Sequence, residues 1–210
     1  MARQTQTRER LVRTAGELLW RQGYAHTGVS EIMKRARATS GSFYHFFPTK
    51  DDLLLAVLDA VDSRVGTEVL DVVEASSDDP GDRILALAQA YRVHTVPDAV
   101  DFGLPIGALV NELGPEHEDA RRRIGEIYES VVQRVALWFA GPNRRAAILV
   151  MVALEGAALV ALASRSAEAI EVCADKLKVA IEGLEGALTG TEEMPPPAAS
   201  DGVVGDWKAW

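Results

Sequence analysis

At 210 residues the chain is long enough to bury a substantial core, and its one cysteine, Cys173, excludes an intrachain disulfide and a cysteine-based zinc site. Hydrophobic residues make up 48%, mostly Ala, Val and Leu, and alternating β-branched runs are missing, so the class is read as all-α. The net charge of −9 argues against nucleic acid only until the chain is divided, because residues 1–50 carry nine Lys or Arg against three acids.

A basic head on an acidic body points to DNA binding confined to one end. The N-terminus is basic but has no apolar signal core, so a cytoplasmic location is expected. Enzymatic chemistry finds no foothold: there is no G-x-S-x-G, no Gly-rich phosphate loop, no H-E-x-x-H and no metal-ligand spacing. No cofactor or metal is therefore expected.

In chain order, Leu11, Ala15, Leu18 and Leu19 recur at helical spacing and predict an amphipathic helix over 5–22, ended by Gly23. A second helix is predicted over 29–36, with Val29, Ile32 and Met33 inward, then a turn at Arg37-Ala38. Thr39 is a good N-cap for a third helix over 40–46. Its Ser40, Gly41, Ser42, Tyr44 and His45 suit a surface that docks into a groove better than one that supports a core, whereas Phe43 and Phe47 read as core. Pro48 breaks the chain, and Thr49 caps a fourth helix whose first turn holds Asp51 and Asp52, where the helix dipole favours acids. That helix runs to about residue 75, long enough to bridge two domains.

SSDDPGD at 76–82 breaks the chain, and Pro80 opens a helix to about 96. A shorter helix follows over 102–113 and another helix over 116–140, punctuated by Gly114-Pro115 and Gly141-Pro142. Residues 146–163 form an apolar run with one acid, Glu155. It lies near the lower length limit for a membrane span, and an ionised Glu at mid-bilayer costs several kcal/mol, so a buried or dimer-forming helix over 143–164 is the reading. A last helix over 167–188 carries Ile170, Cys173, Leu177, Ile181, Leu184 and Leu188 on one stripe. The Pro- and Gly-containing tail, 190–210, is expected to be disordered.

The stretch TGVSEIMKRARATSGSFYHFFPTKDDLL, preceded by WRQGY, resembles the DNA-binding region of TetR-family transcriptional repressors over residues 7–60. The remainder resembles that family in helix number and order. The resemblance implies about nine helices: a three-helix helix-turn-helix domain at 1–50, joined by the long helix to a ligand-binding and dimerisation domain at 51–189. It implies that Thr27 and Gly28 hold a phosphate at a helix N-terminus, and that Thr39 touches phosphate while capping the recognition helix. Ser40, Gly41 and Ser42 would enter the major groove, and Tyr44, His45 and Lys50 would bind phosphates. Arg37 stands where the family usually has glycine; either the turn is reshaped, or Arg37 offsets its strain through a phosphate contact. With no Arg or Gln in the recognition helix, specificity falls to backbone approach, hydroxyls, thymine methyls and DNA shape.

The resemblance further implies a homodimer through residues 143–188, a palindromic operator and release by a small hydrophobic effector. Its pocket would draw on His94, Phe102, Leu104, Ile106, Leu109, Val110, Asn111, Glu112, Tyr128, Val132, Leu137, Trp138 and Glu155. FGLPIGALVNELG resembles a segment in which some members carry a cysteine; here Leu104 holds that place, so no thiol sensing is read there. The rival reading is a helical interaction module without DNA binding.

Overall fold

A computed structural model describes residues 2–95 and 104–188. Phe102, the side chains of His94, Leu184 and Leu188, and the 190–210 tail lie outside what it describes. The regular structure of the described residues is all helical, with no strand among them. The head is α1 (Ala2–His26), α2 (Val29–Arg35) and α3 (Ser40–Phe46). A long rod, α4, follows in three stretches: Lys50–Arg64, a π-helical Val65–Leu70, and Asp71–Ser76. The body continues with α5 (Pro80–Thr95), the single turn α6 (Gly107–Val110), a 3-10 turn (Pro115–His117), α7 (Glu118–Ala136), α8 (Arg144–Ser164) and α9 (Glu168–Leu188).

Local chemistry fixes the starts of α3 and α4. Thr39 accepts from the Ser42 amide while the Ser42 hydroxyl accepts from the Thr39 amide, a reciprocal capping box. Thr49 and Asp52 repeat the arrangement at α4. Each such cap stabilises a helix start by about 1 kcal/mol. In the head, Leu11, Leu18, Ile32, Phe43, Phe47 and Leu53 are all buried, and α1 packs against α2, α3 and α4.

Gly23 breaks α1 as expected, with a non-helical φ of 80° and ψ of 169°, and a short further turn runs on to His26. The sequence periodicity misses other details. The 102–113 helix shrinks to Gly107–Val110, and α7 begins at Glu118 and stops at Ala136 rather than at 140. The long rod is continuous as expected but contains the π segment, which periodicity does not reveal.

In the body, α9 packs on α5 and α8, and α8 on α5 and α7. Helix α8 is long and apolar enough to cross a membrane by composition. One face of it, through Ala147, Val150, Leu154 and Ala158, is buried in the bundle. The other leaves Ile148, Leu149, Val152, Leu159 and Val160 exposed, and Val172 and Val179 of α9 are exposed too.

Candidate nucleic-acid interface

Helix α2 ends in a Schellman arrangement: the Ala38 amide donates to the Met33 carbonyl at 2.9 Å and the Arg37 amide to that of Lys34 at 3.3 Å. This geometry needs a left-handed residue, and Arg37 supplies it with φ 51°. The turn is thus not reshaped to suit a side chain. It brings α3 out so that Ser40, Gly41, Tyr44 and His45 are all exposed, Tyr44 to 56%, while Phe43 and Phe47 anchor the opposite face. A Cβ on Gly41 would meet nothing within 4 Å, so the backbone there is open to an approaching surface.

Arg37, Thr39 and Gly28 are exposed beside this face. Thr27 is not: it is 1% exposed, and its hydroxyl donates to the Gly23 carbonyl at 2.6 Å, so its side chain fastens the loop to the kink of α1. Ser42 is half-buried with its hydroxyl bonded to Thr39. Lys50 is half-buried too; its ammonium donates to the Tyr24 carbonyl at 2.6 Å and sits 3.7 Å from the Tyr24 ring centroid. Burial pushes its pKa down against the pull of Asp51 and Glu112. Thr27 and Lys50, read from the sequence as phosphate ligands, are therefore both bonded within the protein.

Lys50 belongs to a junction the sequence did not announce. Tyr24 donates to Asp51, whose other oxygen lies 3.1 Å from His117 Nδ1, and the Ala25 amide donates to Glu112 at 3.3 Å. Burial and the Asp51 carboxylate together raise the Tyr24 pKa. Asp51 reads as a dipole-compensating acid and His117 as part of a solvated helix start; nothing local signals a partner 66 residues away.

The expected effector residues divide. Tyr128, Ile106 and Glu155 come together: Glu155 Oε1 accepts from Tyr91 at 2.8 Å and Oε2 from the Gly107 amide at 3.1 Å, and Tyr128 also bonds to this carboxyl. Burial raises the Glu155 pKa despite these donors. Trp138 lies elsewhere, buried, with its indole donating to Glu74 at 3.1 Å. Asn111, Glu112 and Leu137 are exposed. A cleft of about 930 Å³ opens between α1 and α4, floored by Val12, Ala56 and Ala60, and shares no residue with the expected effector set. Cys173 is half-buried, which pushes its thiol pKa up and away from thiolate reactivity. Among the described residues no His, Cys, Asp and Glu group is arranged to hold a metal ion.

Comparison with known proteins agrees with this geometry. Residues 11–57 match the model of bacterial regulatory proteins of the tetR family, and residues 80–176 match that of the LmrA/YxaF-like transcriptional regulator C-terminal domain. The chain is 29% identical to the transcriptional repressor NemR of Escherichia coli K12, over 79% of this chain and 88% of that one. It is 29% identical to the regulator LmrA of Bacillus subtilis over 59% of this chain and 65% of the other. The crystal structure of reduced E. coli NemR superposes with a TM-score of 0.69 at 26% identity, covering 82% of this chain and 95% of NemR. A regulatory protein TetR from Rhodobacter sphaeroides gives 0.72 at 25%, covering 81% and 96%. With a family match at the head, another across the body and the fold shared over 81% of the chain, the chain belongs to the TetR family of bacterial transcriptional regulators.

Proposed function

We propose that this protein is a cytoplasmic repressor that binds a palindromic operator as a homodimer and releases it when a small hydrophobic effector enters the body. The observation that carries the reading is the α3 surface. Exposed hydroxyl, phenol and imidazole groups ring an open backbone at Gly41, on a helix held by two buried phenylalanines. Such a helix seats its N-terminal end among base edges while its flanks take phosphates.

The apolar face left on α8 and α9 supports the dimer. Two such faces paired about a two-fold axis make a four-helix interface, and the two heads then address two half-sites. The kinship with NemR, which is named a repressor, supports the sign of regulation. An effector acts only through differential affinity: it must favour a body arrangement that moves α4 and changes the spacing of the heads.

Selection of random duplex DNA on the purified protein tests this. A recovered palindrome is expected, bound with an affinity that falls steeply with salt. Substituting Tyr44 and His45 by alanine should abolish binding with the helical fold intact, since both are exposed. Retained binding by that variant would overturn the assignment of the interface to α3, and no duplex held at any salt would overturn the whole reading in favour of a helical interaction module.

A further inference from the structure

The Schellman turn accounts for two of the carbonyls at the end of α2, those of Met33 and Lys34. The Ala36 carbonyl, at the C-cap, is taken by another helix: Arg10 Nε, reaching from α1, donates to it at 3.3 Å. Arg10 Nη2 donates to Thr7, which fixes the guanidinium. Two residues earlier, the Arg8 guanidinium lies 5.5 Å from the ring centroid of Phe47, the C-cap of α3, within cation–π reach. Two arginines of α1 thus hold the ends of both helices that the turn joins.

The residue between those helices is the one that strains them. A left-handed residue costs an L-amino acid what it does not cost glycine, and glycine is the usual occupant of this position in a Schellman motif. A cation at a helix C-terminus, bonded to its last free carbonyl, opposes that cost because it stabilises the chain reversal that the strained residue allows. We propose that Arg10 is a positioning residue for the recognition helix: by capping α2 at Ala36 it holds the left-handed turn at Arg37, and so sets the angle at which α3 is presented. It acts through the turn and not on the DNA. The affinity arm of its test rests on the proposed DNA binding; the exchange arm does not.

The test is a double-mutant cycle with R10A, R37G and R10A/R37G, read by fluorescence anisotropy on the selected duplex across a salt series. R10A should weaken binding about fivefold in the Arg37 background, with the slope of affinity against salt unchanged. With glycine at 37 the turn no longer needs the clasp, and R10A should cost less than about twofold. Hydrogen exchange on the free proteins reads the turn itself. The Arg37 and Ala38 amides should exchange faster in R10A, and the amides of residue 37 and Ala38 should regain protection in R10A/R37G.

Equal losses in both backgrounds overturn the proposal. So does a salt slope shallower by about one unit in R10A, which would make Arg10 a phosphate ligand. If the unsubstituted protein holds no duplex, the DNA-binding reading fails by itself, and the exchange rates decide the role of Arg10: unchanged protection in R10A refutes it.

Discussion

Arg134 and Gly66 meet where the long helix α4 changes register. The Arg134 Nη1 donates to the Gly66 carbonyl at 3.1 Å inside the π segment, while the rest of the guanidinium grips Asp71 at 2.8 Å and Glu74 at 3.0 Å on the turns that follow. A π turn shifts the i→i+4 ladder and is a recurrent site of function in helices. One side chain of α7 here spans the shift.

Arg134→Ala should therefore destabilise the protein by about 1–3 kcal/mol, less than for a fully buried pair because the side chain keeps some solvent contact. The denaturation midpoint reads it. Arg134→Lys should recover only part, since an ammonium cannot span a carbonyl and two carboxylates as a planar fork does. Burial opposes ionisation of Glu74, but hydrogen bonds from Arg134 and Trp138 outweigh it and hold the carboxyl below its ordinary range. A depressed folded pKa means stability present above the unfolded value and lost as pH falls through the folded one. The wild type should thus lose this increment below about pH 4 and the alanine variant should not. Parallel acid limbs would refute the coupling.

What was legible in the sequence follows the range of the interactions. Helices α3 and α4 could be placed because Thr39 and Thr49 cap within three residues of themselves, whereas a left-handed residue at Arg37 is signalled only by the family resemblance, which puts glycine there, and the alternative of a reshaped turn is settled by its φ of 51°. The π segment, the Trp138–Glu74 bond and the Asp51–His117 contact could not, since each depends on a partner or a register that only packing supplies. Trp138 and Glu155 illustrate the limit in the candidate site. Both are polar-tipped residues in an apolar stretch, and both prove to be bonded within the fold.

Glu155 makes a prediction of opposite sign. Burial raises its pKa against donors from Tyr91, Tyr128 and the backbone at Gly107 and Ile106. A raised folded pKa gives a contribution that is full below the unfolded value and lost as pH rises through the folded one. Glu155→Gln removes the titration, so stability measured from about pH 4 to pH 8 should decline in the wild type relative to a flatter variant. Glu155→Ala should cost about 1–3 kcal/mol near pH 4, because it strands the fully buried Tyr91 hydroxyl, and less as pH rises and the wild type loses the contribution of its carboxyl. Matching pH profiles in wild type and Gln variant would rule out a titrating carboxyl here.

The α8–α9 face predicts an oligomeric change. Val152 is among its most exposed residues, so Val152→Glu should leave the monomer fold intact while placing two charges against each other in the proposed dimer. Sedimentation velocity should show the wild type as a dimer and the variant as a monomer. Operator affinity should fall at least tenfold, because two heads no longer bind as one unit. A variant that sediments as the wild type does would move the interface elsewhere.

Gly23 tests the head–body joint. At φ 80° an L side chain is strained, and a Cβ there would collide with the carboxylate of Glu112, which accepts from the Ala25 amide. Gly23→Ala should cost about 2 kcal/mol, a fall of roughly 4–8 °C in the melting temperature for a chain of this size. The two causes separate in the double variant. Gly23→Ala with Glu112→Ala removes the collision and keeps the backbone strain, so it should melt between the single Gly23 variant and Glu112→Ala alone. If it melts no higher than Gly23→Ala, the strain accounts for the whole loss and the carboxylate yields without cost. If it melts with Glu112→Ala, the kink tolerates alanine, and it is the seating of Glu112 against the end of α1 that fixes this joint.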